Sequence, residues 1–218
     1  MTDGPSNPLP GAPASLVERA KNILLSPKTE WPRIDAEPGS IQGIYTSYVM
    51  ILAAIGPICA LIGQQVFGFS ALGITYKPPI GYSITSAVLT YGLSLLSVYI
   101  SSLVIDALAP NFGGTKDPLK AFKVAAYAST AAWIGGVFQI VPSLAMIGLL
   151  FGLYGLYLLF LGLPVLMKVP QDKAIGYTVV VIVVQIVLYF VVAMVVAALV
   201  ASFFPLGGLM GGGTVQLP

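Results

Sequence analysis

The feature that most constrains this chain is a series of apolar runs, each long enough to cross a lipid bilayer. A helix needs about 20 residues to cross a hydrocarbon core that is about 30 Å thick. Only 8% of the 218 residues are charged, whereas soluble domains carry roughly 25%. The runs divide into five spans, at residues 44–67, 82–108, 122–141, 144–167 and 177–203. The sequence therefore predicts an all-α integral membrane protein with a five-helix transmembrane bundle in residues 41–204.

The boundary between the third and fourth spans is set by a proline. Apolar sequence continues almost unbroken from residue 121 to residue 167, which is too long for one crossing and suits two. Pro142 has no backbone N–H and disfavours helix at the residue before it, so we place a turn at residues 141–143. Pro164 is expected to bend the fourth span near its cytoplasmic end.

The basic residues predict the orientation of the bundle. With five spans and a cytoplasmic N-terminus, nine of the ten basic residues fall on the cytoplasmic side, and Lys77 is the exception. The nine are Arg19, Lys21, Lys28, Arg33, Lys116, Lys120, Lys123, Lys168 and Lys173. Because cytoplasmic loops carry an excess of lysine and arginine, this asymmetry places the C-terminus outside. The fourth and fifth spans are then joined by a cytoplasmic hairpin with Pro164, Lys168, Asp172 and Lys173.

The segments outside the bundle are short. Residues 1–14 predict a disordered tail, and residues 205–218 a glycine-rich outer tail. Residues 15–40 predict a cytoplasmic or interfacial amphipathic segment, whose helix starts at the capping pattern of Ser15 and Glu18. Trp31 suits the headgroup layer. We favour a helix that lies on the bilayer surface, and a helix that binds a partner is the alternative.

Small side chains recur at helical spacing in two of the spans. The fourth span carries Gly148, Gly152, Gly155 and Gly162, and the second carries Ser86, Thr90, Ser94 and Ser97. Lipid tails are as apolar as leucine, so helices in a bilayer associate by close packing, which small residues permit. These faces are therefore predicted to be helix-packing surfaces. A hydroxyl-lined pathway for a small polar solute is the alternative.

Few polar side chains fall within the spans, and none near a span centre is ionisable. Asp106 and Lys123 lie at the cytoplasmic ends of the second and third spans and are expected to pair. A proton-relay role for Asp106 is the alternative. Gln185 lies deeper in the fifth span and is expected to hydrogen-bond to Tyr154 or Tyr157 of the fourth span.

Residues that build the common catalytic sites are scarce. The chain has no histidine and a single cysteine, Cys59, so zinc sites, an internal disulfide and His-based catalysis lose their usual residues. No G-x-S-x-G elbow and no Walker A sequence occurs. The net charge of +2 indicates no nucleic-acid surface. We therefore predict no enzyme activity, no cofactor and no metal.

Two segments resemble one family of membrane proteins. They are "AAYASTAAWIGGVFQIVPSL" at 125–144 and "GLLFGLYGLYLLFLGLPVLMKVPQDKAIGYTVVVIVV" at 148–184, and they look like the YIP family, the Ypt-interacting proteins. The resemblance covers about residues 26–200, and its best marks include the run Y-x-L-Y-L-x-x-L-G-L-P followed by P-x-D-K-A. It implies a five-span bundle with a cytoplasmic N-terminal region. As a prokaryotic-type member, the chain is expected in the cytoplasmic (inner) membrane.

The resemblance also implies a class of function. Eukaryotic relatives are non-enzymatic membrane adaptors in early secretory traffic that bind Rab-type GTPases. Their aspartate-leucine-x-glycine-proline motif is absent here, where "DAEPGS" at 35–40 is the nearest string, so a Rab-type GTPase is not an expected partner. We predict a non-enzymatic protein that organises membrane lipids or partner proteins, as a homo-oligomer or with other membrane proteins. The alternative is a small-solute permease or channel that uses the Ser/Thr face of the second span.

Overall fold

The computed structural model describes residues 14–71, 74–204 and 213–216. Apart from Ala14, the predicted N-terminal tail lies outside these residues, as does most of the predicted C-terminal tail. The described chain is mainly helical, with a three-stranded sheet.

The chain begins with a helical hairpin made of α1 (Leu16–Leu25) and α2 (Pro27–Ala36). The Ser15 hydroxyl caps α1 by accepting a hydrogen bond from the backbone N–H of Glu18 at 3.3 Å. The hairpin packs on the bundle, and Trp31 is only 1% exposed. The apolar face of this segment therefore packs against other helices, with Trp31 buried among them, and its placement at the bilayer surface stays a prediction.

The remaining helices follow in chain order. They are α3 (Ile41–Val66), α4 (Ile80–Leu108), α5 (Pro118–Ala128), α6 (Thr130–Gly135), α7 (Ala145–Met167) and α8 (Gln171–Phe203). Within the described residues, four helices are long and apolar enough to cross a membrane, and these are α3, α4, α7 and α8. The α7 helix contains Pro164 and continues beyond it to Met167.

The third predicted span is not one continuous helix. It consists of α5, α6 and a 3₁₀ turn at Gly136–Ile140, so the expectation of a single helix over 122–141 is wrong. Gly135 and Gly136 have low helix propensity. They also permit a close approach, since a Cβ at Gly136 would lie 2.6 Å from the Cα of Gly56 in α3. Every residue from Ala121 to Ala128 in α5 is buried, between α4 and α7.

A small antiparallel sheet connects the C-terminal tail to the loop between α3 and α4. Its strands are β1 (Phe69–Ala71), β2 (Ile74–Lys77) and β3 (Thr214–Gln216), and β2 lies in the middle. In the register of β2 and β3, Lys77 lies opposite Thr214. The segment Thr214–Gln216 therefore lies beside the loop that follows α3.

Candidate functional site

A buried arginine joins the N-terminal hairpin to the bundle. The Arg19 side chain is 2% exposed and forms ion pairs with Glu30 and Glu37. Its guanidinium also lies over the ring of Tyr127 in α5, 5.4 Å from the ring centroid. Buried charges are costly unless they are paired and hydrogen-bonded. Burial of the Arg19 guanidinium therefore depends on its contacts with Glu30, Glu37 and Tyr127.

Lys123 of α5 also contacts the hairpin. Its ammonium donates hydrogen bonds to the backbone carbonyls of Ile34, at 2.8 Å, and Glu37. These carbonyls lie at the C-terminal end of α2, where the helix dipole favours a cation. The expected pair of Lys123 with Asp106 is not formed, because the ammonium is held by α2.

A second ion-pair group lies at the same end of the bundle. Asp35 pairs with Lys120 of α5 at 2.8 Å and with Lys168, which follows α7. Burial raises the pKa of Asp35, but the hydrogen bonds and positive charges of Lys120 and Lys168 outweigh it, so the pKa lies below its usual value of 3.8. We call the two ion-pair groups and Lys123 the hairpin cluster. It consists of Arg19, Glu30, Glu37, Asp35, Lys120, Lys123 and Lys168.

The glycines of α7 contact the hairpin and the third segment, with one exception. A Cβ at Gly162 would lie 2.7 Å from the Trp31 ring, and one at Gly155 would lie 3.1 Å from the Ala128 carbonyl oxygen. A Cβ at Gly148 would similarly lie 3.1 Å from the Gly135 carbonyl oxygen. Gly152, in contrast, has open space, with nothing among the described residues within 4 Å of an added Cβ, so it takes no part in the packing of α7 on the described part of this chain.

The hydroxylated face of α4 divides into two parts. The Ser94 and Ser97 hydroxyls donate to carbonyls of their own helix, those of Tyr91 and Leu93. Ser86 and Thr90 line a cavity of about 150 Å³ between α3 and α4. The face is therefore not one uniform packing surface.

The predicted polar contacts of Gln185 are different in the structure. Its side-chain oxygen accepts a hydrogen bond from Ser101 of α4 at 3.0 Å, not from a tyrosine of α7. Tyr154 donates instead to the backbone carbonyl of Leu24 at 2.6 Å, and Tyr157 is 41% exposed. The expected tyrosine partner is wrong, because the Gln185 oxygen accepts from Ser101 and the Tyr154 hydroxyl donates to Leu24. Asp106 is buried at the α4–α8 interface, 7% exposed.

The predicted hairpin between the fourth and fifth spans also includes Asp172 and Lys173. Both are exposed, in the first turn of α8. Among the described residues, no group of three or more His, Cys, Asp or Glu side chains could hold a metal ion.

Sequence reasoning missed the role of Arg19, Glu30 and Glu37. A signal was present for the arginine, because Arg19 falls beside Leu16 and Ile23 on the apolar face of α1. A charge on an apolar face requires a buried partner, but the spacing along the chain does not identify which acidic residues provide it.

The long apolar helices around a buried, interrupted third segment define an α-helical integral membrane protein. A family model described as the Yip1 domain matches residues 21–194. The chain therefore belongs to the Yip1 family, as the resemblance predicts.

Two bacterial relatives agree with this assignment. They are the inner membrane protein YohC of Escherichia coli strain K12 and the protein of the same name from Escherichia coli O6:H1. Each is 28% identical over 160 residues, which cover 72% of this chain and 82% of the relative. These inner membrane relatives and the long apolar helices confirm the predicted location in the inner membrane. No solved structure matches the chain significantly.

Proposed function

We propose that this protein is a non-enzymatic, five-span member of the Yip1 family that organises partner proteins or lipids in the inner membrane. The N-terminal hairpin lies on the cytoplasmic side, and the C-terminus lies outside. The observation that carries the proposal is the outward-facing apolar surface of α8.

Most of α8 faces away from the rest of the chain. Tyr189, Met194 and Phe203 are 71%, 70% and 66% exposed. The small residues Ala193 and Ala197 are exposed beside them, four residues apart. In a bilayer this surface contacts lipid or another helix, and small residues spaced by four let a second helix approach closely. Such a surface suits a protein whose role is association within the membrane.

Contacts between the loops support five crossings. Asp35, before α3, pairs with Lys120, in the first turn of α5, and with Lys168, after α7, so these three segments share one end. The sheet pairs the segment after α8 with the loop between α3 and α4, which places both at the other end. The interrupted segment of α5 and α6 then supplies the additional crossing. The end that carries the lysines is the cytoplasmic one by the positive-inside rule.

The permease alternative has less support. A solute pathway along α4 would need accessible hydroxyls along its length, whereas those of Ser94 and Ser97 are bonded to their own helix. We do not propose a Rab-type GTPase as a partner. The apolar face of the N-terminal hairpin is covered by the bundle and is therefore not available to bind one.

Photo-crosslinking in the native membrane tests the proposed role. A photoreactive residue at Ala197 or Met194 should give the same protein or lipid adducts from both positions, identified by mass spectrometry. The control is Val181, which is 0% exposed and packed inside the bundle. Differently tagged copies show whether an adduct is a second copy of this chain. Adducts no different from those at Val181 would reject the proposal.

A further inference from the structure

The N-terminal hairpin extends well below the cytoplasmic end of the bundle. Asp35, near the end of α2, lies at that end, in an ion pair with Lys168, which follows α7. Closer to the turn of the hairpin, Trp31 packs on Gly162. Gly162 lies five residues before Met167, where α7 ends, and this corresponds to about 7 Å of helix. The second helix of the hairpin therefore runs along α7 into the bundle.

The turn of the hairpin lies deeper still. The backbone carbonyl of Leu24 accepts a hydrogen bond from the Tyr154 hydroxyl at 2.6 Å. Tyr154 lies thirteen residues before Met167, or about 20 Å along α7. Independently, α1 contacts α6, which starts at Thr130, ten residues or about 15 Å beyond Lys120. Since the hydrocarbon core is about 30 Å thick, contacts with two different helices put the turn near the middle of the membrane.

Both ends of the hairpin stay on the cytoplasmic side. A single residue, Ser26, joins α1 to α2. The two helices are antiparallel, since Glu18 near the start of α1 pairs with Arg33 near the end of α2 at 3.4 Å. A segment that enters and leaves a membrane on one side is tolerated where it is buried against protein, as Trp31 and Leu24 are against α7. This geometry is that of a re-entrant hairpin.

The backbone at the turn is hydrogen-bonded, as the membrane interior requires. The Ser26 N–H donates to the carbonyl of Asn22 at 2.8 Å, and the Ser26 carbonyl accepts from the N–H of Thr29 at 3.2 Å. The turn therefore exposes no unpaired backbone group of Ser26 to lipid.

The outer face of the hairpin combines apolar and basic side chains. Val17, Lys21 and Leu25 are spaced by four residues and so lie on one face of α1. All three are exposed, Val17 at 73% and Leu25 at 71%. Lys28, in the first turn of α2, is exposed as well. Within the described residues neither lysine forms an ion pair, whereas Glu18, the acidic residue nearby, is paired with Arg33.

The depth of the two lysines restricts what covers them. The pairing of Glu18 with Arg33 puts Lys21 level with Glu30, so Lys21 and Lys28 lie about 8–10 Å below Asp35 by helical rise. A charged group at this depth is costly in hydrocarbon, and a lysine there extends its ammonium toward the interface. The ammonium groups then lie at the level of lipid phosphates, while Leu25 remains among the acyl chains.

We propose that α1 and α2 form a re-entrant hairpin, rather than one lying flat on the bilayer, whose outer face binds an anionic phospholipid of the cytoplasmic leaflet. The lipid phosphate pairs with Lys21 and Lys28, and an acyl chain packs on Leu25. A free phosphate would leave the apolar side chains of this face uncovered, and basic residues at the cytoplasmic surface attract anionic lipids. The site does not involve α8, and it stands whether or not the α8 surface binds a partner.

Quenching by brominated lipids tests both the depth and the lipid. The full chain carrying Leu25→Cys is labelled with bimane in phosphatidylcholine nanodiscs that contain increasing fractions of a lipid brominated in its acyl chains. Brominated phosphatidylcholine should quench this label as strongly as one at Leu153→Cys, on the exposed face of α7. Brominated phosphatidylglycerol should reach half-quenching of the Leu25 label at a mole fraction about fivefold lower than brominated phosphatidylcholine.

Two double variants test the lysines. Lys21→Gln with Lys28→Gln should abolish the preference for phosphatidylglycerol. Lys116→Gln with Lys173→Gln removes the same charge from exposed positions outside the hairpin and should leave the preference unchanged.

The label controls use the same chain. A label at Leu153 should be quenched equally by the two brominated lipids. The natural chain, whose Cys59 is buried, gives the background. Val17→Cys, on the same face, replaces Leu25→Cys if the labelled variant does not fold.

Three outcomes would overturn the proposal. Absence of quenching at Leu25 by either lipid would place the hairpin outside the membrane. Equal quenching by the two lipids would reject an anionic lipid site. A preference that survives Lys21→Gln with Lys28→Gln, or that is lost equally in both double variants, would reject the two lysines as the binding groups.

Discussion

The indole ring of Trp31 packs directly on the backbone of Gly162, so that a Cβ at this glycine would lie 2.7 Å from two ring atoms. This contact joins α2 of the N-terminal hairpin to the C-terminal half of α7. It is possible only because position 162 has no side chain. The hairpin and the bundle therefore depend on each other for packing.

Replacing Gly162 should destabilise the protein strongly. Gly162→Ala forces the Trp31 ring or α2 to shift, and overpacking of this kind costs about 1–3 kcal/mol. Gly152→Ala is the matched control, since its Cβ would meet open space. Thermal unfolding in detergent, followed by size-exclusion chromatography, should show a lower Tm for Gly162→Ala and no loss for Gly152→Ala. A similar Tm for both variants would contradict the contact.

Removing the Arg19 charge should destabilise the hairpin more than removing the exposed Arg33 charge. Arg19→Met leaves Glu30 buried without its ion-pair partner and leaves Glu37 paired with Arg33 alone, and breaking a buried pair in this way costs about 3–5 kcal/mol. The Arg33 side chain is 36% exposed, so Arg33→Met should cost no more than about 1 kcal/mol. Chemical unfolding and limited proteolysis of the hairpin measure both effects.

A second substitution separates charge from packing at this position. Arg19→Met combined with Glu30→Gln removes the unpaired charge of Glu30, so it should recover part of the lost stability. If the double variant is no more stable than Arg19→Met alone, the loss arises from packing and not from the unpaired carboxylate.

The long spans could be predicted because the bilayer imposes one simple requirement on them. The predicted span at 44–67 corresponds to the helix at Ile41–Val66, and the span at 82–108 to Ile80–Leu108. Hydropathy does not reveal the interruption of the third span, which depends on the tertiary approach of Gly136 to Gly56. Local sequence therefore predicts where the chain can cross, and packing decides whether the helix is continuous.

The glycines of α7 also show that sequence spacing alone does not predict which residues are in contact. Gly148, Gly155 and Gly162 are separated by seven residues, nearly two helical turns, so they stay in one line along the helix. At 100° per residue, Gly152 is rotated about 40° from Gly148 and about 60° from Gly155, and it meets open space. Spacing by three or four predicts a shared face, but only the position of neighbouring helices decides which glycines are in contact.

Asp35 should make part of the stability depend on pH. Its pKa is lower in the folded protein, mainly because Lys120 and Lys168 oppose the effect of burial. A group with a depressed folded pKa stabilises the fold above its unfolded pKa and loses that contribution as the pH falls through the folded pKa. The stability difference between the natural chain and Asp35→Asn should therefore be constant above about pH 5, and it should shrink below 3.8.

The control for this titration is Asp172→Asn. Asp172 is exposed and has no ion pair among the described residues. Its substitution removes a carboxylate without breaking an ion pair of the described residues, so it measures the effect of an Asp-to-Asn change by itself. A difference for Asp35→Asn that is independent of pH between 3 and 6 would contradict the ion pairs with Lys120 and Lys168.

The pairing of β2 with β3 predicts both a register and an orientation. Lys77 and Thr214 lie opposite each other, and paired antiparallel residues have Cα atoms about 4.5–5.5 Å apart, within the range of a disulfide. Lys77→Cys with Thr214→Cys should therefore form a disulfide in bacterial cells without added oxidant, because the periplasm is oxidising and the cytoplasm is reducing. Thr75→Cys with Thr214→Cys is the out-of-register control, two residues away along β2, and should form little disulfide.

Gel mobility with and without reductant measures disulfide formation in both pairs. A Lys77–Thr214 pair that stays reduced in cells but closes in oxidised membranes would reverse the orientation, and a pair that never closes would contradict the register.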